Sequence, residues 1–436
     1  MSSRGTVLFT LFLFGPGCGG AAGTDATAPG TDAGTDAGSD AGGLDAGLPD
    51  GVWAFDGTDP AGPTDDLEPL WALVSGARVV GLGESVHTSG GFYAAKHRLI
   101  RWLVEAHGLR VLAMETPRSA AMELDQFLLS GPCDLAPDQV LDAIFGVFAD
   151  DNTAALMRWL CERNLATPSD PVRFFGFDVQ QPEQDYADID AFLLAWAPAD
   201  EPALYAELDT CHVTYDVAMP PAMAAYDACT LGLADLDSYL TSNEATLTAA
   251  AGAEGYLLMQ LSVLGLRSWQ DEVFYYASDI GASYESRDVA MATVFQSLLD
   301  FYYPTAPLVA MWAHNYHLAA DHPAVTDTVL AGLVTTGTLL RAALGADYAP
   351  VALAALGAGI NWPGVGMGPS AVGTEPGSLE RRLDALGPAY LVADTAAAWL
   401  DPASPISFSD ETMIVPDQYD AIVYLQSSPP MNAVFW

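Results

Sequence analysis

Six side chains able to hold or move a proton each follow a short apolar run in this sequence. Glu84 and His87 come after residues 78–83, Glu115 after 109–114, Asp178 after 172–177, and His314 and His317 after 307–313. Carboxylates and imidazoles that converge shift one another's pKa, and such a cluster can take a proton and return it near neutrality. Each member also has a plainer reading. Glu84 and Asp178 suit helix caps, His87 a loop, Glu115 a partner for Arg118, His314 a satisfied core position, and His317 the surface. The same placement after four separate runs argues instead for one shared site. The sequence contains no Gly-x-Ser-x-Gly nucleophile elbow, no phosphate-binding Gly-x-x-x-x-Gly-Lys and no His-Glu-x-x-His. Ser85 lies beside Glu84 with no turn signature marking it as a nucleophile.

For these groups to meet, the apolar runs must be neighbouring buried strands. Arg78–Gly83 reads as a strand. Phe92–His107 has helical periodicity, with Phe92, Lys96, Leu99, Ile100, Leu103 and Val104 on one face and Gly108 at its end. Leu109–Met114 reads as the next strand. A strand–helix–strand unit puts Glu84, His87 and Glu115 at the carboxyl edge of a sheet, where open α/β sheets hold ligands. Lys96 sits about one turn into the inward face of the helix. Its ammonium either reaches the cleft to hold an anion or oxyanion or snorkels at the sheet rim.

The rest of the chain continues this alternation. Helices are expected over 119–129, ended by Gly131-Pro132, and over 151–164, with Leu156, Trp159 and Leu160 facing the core. A further helix begins at Glu285. Strands are expected at 172–177, 307–313, 351–353, 390–392 and 421–425, with 52–74 wrapping the edge. Residues 185–283 read as a helical lobe punctuated by Pro220-Pro221. The fold class is therefore α/β, a mainly parallel sheet flanked by helices with an inserted helical lobe. No repeat of solenoid length is present.

The 436 residues carry 15 basic and 56 acidic side chains, a net charge of −41. Such a surface repels nucleic acid and anionic lipid. Arg4, an apolar stretch over 6–14 and Gly15-Pro16-Gly17-Cys18 resemble a bacterial lipoprotein signal; an ordinary signal peptide cut nearby is the alternative. The apolar stretch is too short to span a bilayer. Residues 18–50 repeat Thr-Asp-Ala-Gly variants without an aromatic residue and read as a solvated, self-repelling tether. The folded domain is then 51–436, exported and lipid-anchored through Cys18, with no other membrane contact expected. Cys133, Cys161, Cys211 and Cys229 suggest disulfides outside the cytoplasm. Proximity favours Cys211–Cys229 and Cys133–Cys161 among three pairings, with buried free thiols as the other reading.

Two blocks carry a family resemblance. Gly83-Glu84-Ser85-Val86-His87, followed by Phe92, Lys96, Arg98–Arg101, Leu103–Glu105 and Ala113-Met114-Glu115, resembles the N-terminal signature of the erythromycin esterase family. Ala313-His314-Asn315-Tyr316-His317 resembles a second family motif. Gly176-Phe177-Asp178 and Arg287-Asp288 also match. The resemblance runs from about Val74 to Leu425 and implies an α/β fold framing a deep cleft, with water opening an ester or lactone. It implies His87 as general base, Glu84 and Glu115 orienting the water, and His314 and His317 binding or stabilising the tetrahedral intermediate. Lys96, Asp178 and Arg287 would bind substrate. One departure stands out: family members commonly carry an acidic residue at the position of Gly91.

The expected function is an exported hydrolase of a carboxylic ester or lactone, a small-molecule substrate, with no cofactor. The alternatives are a metal-dependent hydrolase, its histidines and carboxylates holding zinc or a similar ion, and a surface-anchored protein that binds a small molecule without catalysis.

Overall fold

The chain builds its sheet outward from one central strand, the apolar run ahead of Glu84. The computed structural model describes residues 47–134, 136–141, 143–211, 222–305, 307–362, 366–370, 375–409 and 411–433. The expected signal segment, the tether as far as residue 46 and Pro220-Pro221 lie outside the described residues.

In chain order the strands are β1 Val52–Ala54, β2 Val79–Leu82, β3 Leu109–Pro117, β4 Arg173–Asp178, β5 Leu308–Trp312, β6 Tyr348–Trp362, β7 Gly366–Ser370, β8 Tyr390–Asp394, β9 Ile406–Phe408, β10 Glu411–Met413 and β11 Ala421–Ser428. The helices are α1 Glu68–Val74, α2 Gly90–Ala106, α3 Arg118–Ser130, α4 Pro137–Leu141, α5 Asp151–Ala166, α6 Pro182–Trp196, α7 Glu201–Leu208, α8 Met223–Tyr275, α9 Ile280–Tyr302, α10 Asn315–Leu318, α11 Thr336–Leu344, α12 Leu379–Asp384 and α13 Val415–Gln418.

The main sheet runs β1-β8-β11-β6-β2-β5-β3-β4, with β7 paired to β6. The pairs from β11 to β4 are parallel; β1, β8 and β7 join antiparallel. From β2 the chain crosses to β3 and β4 on one side. It returns through β5, then moves to β6 on the other side of β2. Such a reversal opens a crevice at the carboxyl ends. Register makes the placement specific: Leu82, Trp312, Met114 and Gly176 lie in one row across β2, β5, β3 and β4. The proton-handling residues start immediately beyond that row.

Alternation along the strands feeds two cores. Val80, Leu82, Leu112, Met114, Ala310 and Trp312 pack with α1, α2 and α5. Val79, Val111, Ala113, Val309 and Met311 pack with α9 and α11 on the other face. The helical region has its own core around Tyr186, Phe192, Leu233 and Met259. There α8 is two antiparallel helices meeting at Gly252, whose φ of 80° lies in the left-handed region. Tyr226 stacks on Phe274 across that hairpin, centroids 4.0 Å apart. Cys211–Cys229 and Cys133–Cys161 are both bonded.

The expected strands and helices appear, but β6 runs over Tyr348–Trp362 where only 351–353 was expected, and α9 begins at Ile280 rather than at Glu285. Among the strands three additions were not expected: β1 within the presumed edge wrap, the β6–β7 pairing, and the β9–β10 hairpin. Val52–Ala54 is three residues long and takes its strand form from β8 rather than from its own sequence.

Candidate functional site

At the end of β2 the Asn315 side chain comes close to the backbone, and Gly83 leaves room for it. Gly83 donates its N–H to Val351 O at 2.9 Å. A Cβ there would collide with the Asn315 amide. That amide in turn donates to Leu353 O at 3.0 Å, and the Asn315 N–H donates to Glu84 O at 2.9 Å. The middle of the His-Asn-Tyr-His motif is thus a stitch between β2, β5 and β6.

Glu84 is fully buried and divides its two oxygens. Lys96 Nζ donates to Oε2 at 2.6 Å, and His87 Nδ1 donates to Oε1 at 2.8 Å. Lys96 neither lines an open cleft, as its expected substrate-binding role required, nor snorkels at the sheet rim: its ammonium is fully buried, paired with Glu84 and 4.6 Å from the centroid of the Trp312 ring. Burial pulls its pKa down to about 8 against the opposing pull of Glu84. Removing one partner of such a buried pair costs about 3–5 kcal/mol, because the other charge is left uncompensated.

Glu115 gathers the neighbouring strands. Its Oε1 accepts from Arg287 at 3.0 Å and lies 3.4 Å from His317 Nε2, while Oε2 accepts the His314 N–H at 2.8 Å. Burial alone would raise its pKa, but His317, His87 and Arg287 hold it well below the usual carboxylate range. The plain pairing with Arg118 does not occur; Arg118 bonds Asp185, Asp188 and Ser262. Asp178 accepts from Arg287 at 3.2 and 2.5 Å. Asp178 and Arg287 are therefore a buried pair beneath the site, not an open substrate-binding surface.

His317 donates from Nδ1 to Asp288 Oδ1 at 2.8 Å, which also accepts from the Thr336 N–H and hydroxyl at 2.8 Å each. Burial favours neutral His317, yet Asp288 and Glu115 hold its pKa up to about 10. With both ring nitrogens engaged, His317 is placed to act through Glu115 rather than on an intermediate. His314 is different. Its Nδ1 accepts the Tyr316 N–H at 3.2 Å, and its ring centroid stands 5.0 Å from that of His87. Enclosure and the adjacent His87 push its pKa well below the ordinary value, so it is neutral.

The His87 ring meets Phe148 edge-on at 5.2 Å and Trp362 at 6.5 Å. Both aromatics escaped the sequence reading because they come from loops and strand ends without a motif. Glu272, contributed by α8, was missed because no motif surrounds it in the helical region. Its carboxylate accepts from Gln180, and burial raises its pKa to about 7 despite Arg287 nearby. Among the described residues no three histidine, cysteine or carboxylate side chains converge as a metal-ligand set. His317 spends its ring nitrogens on Asp288 and Glu115, and Glu84 spends its oxygens on His87 and Lys96.

The comparisons with known proteins agree with this architecture. A sequence model described as erythromycin esterase matches residues 104–428. The Bacillus subtilis protein YbfO, named provisionally as a hydrolase, is 23% identical over 401 residues, 84% of this chain and 87% of its own length. A Bacillus cereus protein of known crystal structure superposes with a TM-score of 0.72 at 20% identity, over 88% of this chain and 97% of that one. A mutant of erythromycin esterase EreC in its open conformation gives a TM-score of 0.71 at 22% identity, over 88% and 100%. At these identities the two superpositions carry the fold alone. Glu84, His87 and Lys96 precede the matched stretch, while Glu115, Asp178, Arg287, His314 and His317 fall inside it.

Proposed function

Because this chain belongs to the erythromycin esterase family and is a hydrolase, we propose that it cleaves a carboxylic ester or lactone with water activated by His87. The observation that carries this reading is the Lys96–Glu84–His87 chain. Glu84, held by Lys96, accepts from His87 Nδ1 at 2.8 Å. That fixes the proton on Nδ1 and leaves Nε2 as the acceptor, the arrangement a general base needs.

In the proposed reaction His87 Nε2 takes a proton from water as the oxygen attacks the carbonyl carbon. The carbonyl π electrons move to oxygen and form a tetrahedral oxyanion. Collapse expels the alkoxide, which takes the proton back from His87. In this reading neutral His314, beside His87, supplies a ring N–H to the oxyanion. Glu115 orients His314 through its backbone N–H, and His317 and Arg287 keep Glu115 ionised. Water activation rests here on side chains alone.

We also propose that the protein is exported and held at the cell envelope through Cys18. The two disulfides support that reading, since such bonds persist in oxidising compartments.

The test is purified protein against macrolide lactones and simple aryl esters, wild type beside His87→Asn, with and without chelator. Loss of about two or more powers of ten in kcat is expected for the variant, with chelator changing nothing. Turnover that survives in His87→Asn ends the mechanism; turnover abolished by chelator ends its metal-free form.

A further inference from the structure

The segment that leaves β11, Ser428–Ala433, ties together three stretches that are distant in sequence. It holds 88–92 first. The Met431 N–H donates to Thr88 O at 2.9 Å, alongside the Asn361 N–H at 3.2 Å. Ser428 Oγ lies 2.6 Å from Ser89 Oγ and accepts the Phe92 N–H at 3.2 Å. It holds 150–151 next: the Asn432 N–H donates to Asp150 Oδ2 at 2.7 Å, and the Asp151 N–H donates to Asn432 O at 3.3 Å. It holds β6 last, where Asn361 Nδ2 donates to Met431 O at 3.2 Å.

Each stretch adjoins part of the His87 surround. Thr88 follows His87 directly. Phe148 stands two residues before Asp150, and Trp362 follows Asn361. Thr88 has φ 62°, a left-handed conformation that a β-branched residue adopts only when its surroundings enforce it. Donors from the strap and from β6 meet its carbonyl, while its own N–H donates to Tyr93 Oη at 2.7 Å.

Glycines make room for the crossing. A Cβ at position 91 would lie 2.5 Å from Ser428 Oγ and 2.8 Å from its Cα; one at 359 would lie 2.5 Å from Pro430 Cδ. Gly91 is where the family resemblance leads one to expect an acidic side chain, and here the strap fills that space. Residues 429–433 lie beyond the family match.

We propose that Ser428–Ala433 is a positioning element for the His87 imidazole, a strap that fixes the backbone at Thr88 and holds Phe148 and Trp362 against the ring. Its consequence for turnover rests on His87 being the base; its geometry does not.

The test uses the full chain with nitrogen-15-labelled histidine and follows the His87 ring resonances with pH, assigned through His87→Gln. Met431→Leu keeps the N–H that meets Thr88, and Met431→Pro removes it. The His87 resonances and their titration midpoint are expected to shift in Met431→Pro and to hold in Met431→Leu, with His107 unmoved in both. Turnover of 4-nitrophenyl butyrate falls about tenfold or more in Met431→Pro alone. Unmoved His87 resonances in folded Met431→Pro overturn the strap. Where that variant does not fold, Ser428→Ala, which loses one hydroxyl, is read by the same criterion. Shifted resonances with unchanged turnover uphold the strap and overturn His87 as the base.

Discussion

His317 is cationic across the neutral range because two carboxylates face it inside a buried site, and that makes it a stability group as well as a site residue. Its folded pKa of about 10 lies above the ordinary 6.5. The folded state therefore binds more protons between those values, and stability falls as pH rises through that window. The contribution is complete below pH 6.5 and gone above pH 10. Lys96, lowered from 10.5 to about 8, works in the opposite sense from pH 8 upward. Glu272 and Asp185, each raised by burial to about 7, also lose protons between 6.5 and 8, so the comparison with a His317 variant is what separates its share. Thermal unfolding followed over that interval should show a declining midpoint in the wild type and a flatter one in His317→Asn. Parallel curves would contradict the assigned charge. At this scale the sequence displayed which polar residues gather but not how they pair. Lys96 shows the difference: its helical position was readable, but only the arrival of Glu84 from a strand end turned it from a cleft cation into a buried partner.

Among the elements, those nearest the site were the most legible: β2 and β3 stand out as short apolar runs, and α2 keeps a helical period between them. Six parallel strands buried on both faces leave uninterrupted apolar runs, and such runs are conspicuous. The short pieces were not. β1, β9 and β10 are each three residues long and owe their form to the partner they meet. The helical hairpin of α8 was visible as helix, while its reversal at Gly252 was not, since one glycine in a long apolar helix does not announce a turn. Cys211 and Cys229, the latter in α8, are bonded across a sequence separation of 18. Cross-linking a loop of that length restricts the unfolded chain by about 3 kcal/mol. Replacing both cysteines with serine should lower denaturant stability by roughly that amount, with far-ultraviolet dichroism unchanged. No measurable loss would show that the lobe core holds the loop unaided.

For the whole molecule, the net charge of −41 and the Cys18 region bear on where the protein works. A lipid on Cys18 would hold it at a membrane while the acidic stretch that follows keeps the folded part away from anionic headgroups. Fractionation of a bacterial host should find the wild type with membranes and Cys18→Ala in the soluble fraction. Equal distribution of the two would remove the anchor.

Composition, periodicity and the placement of polar residues after apolar runs determined the α/β class, the strand–helix unit around Glu84 and the set of groups that meet, because these depend on local spacing. Strand order, the burial of Lys96 and Arg287, the aromatic walls and the strap over Gly91 depend on which distant segments become neighbours. That is decided by the sum of many packing contacts across the sheet, and no window of sequence contains it.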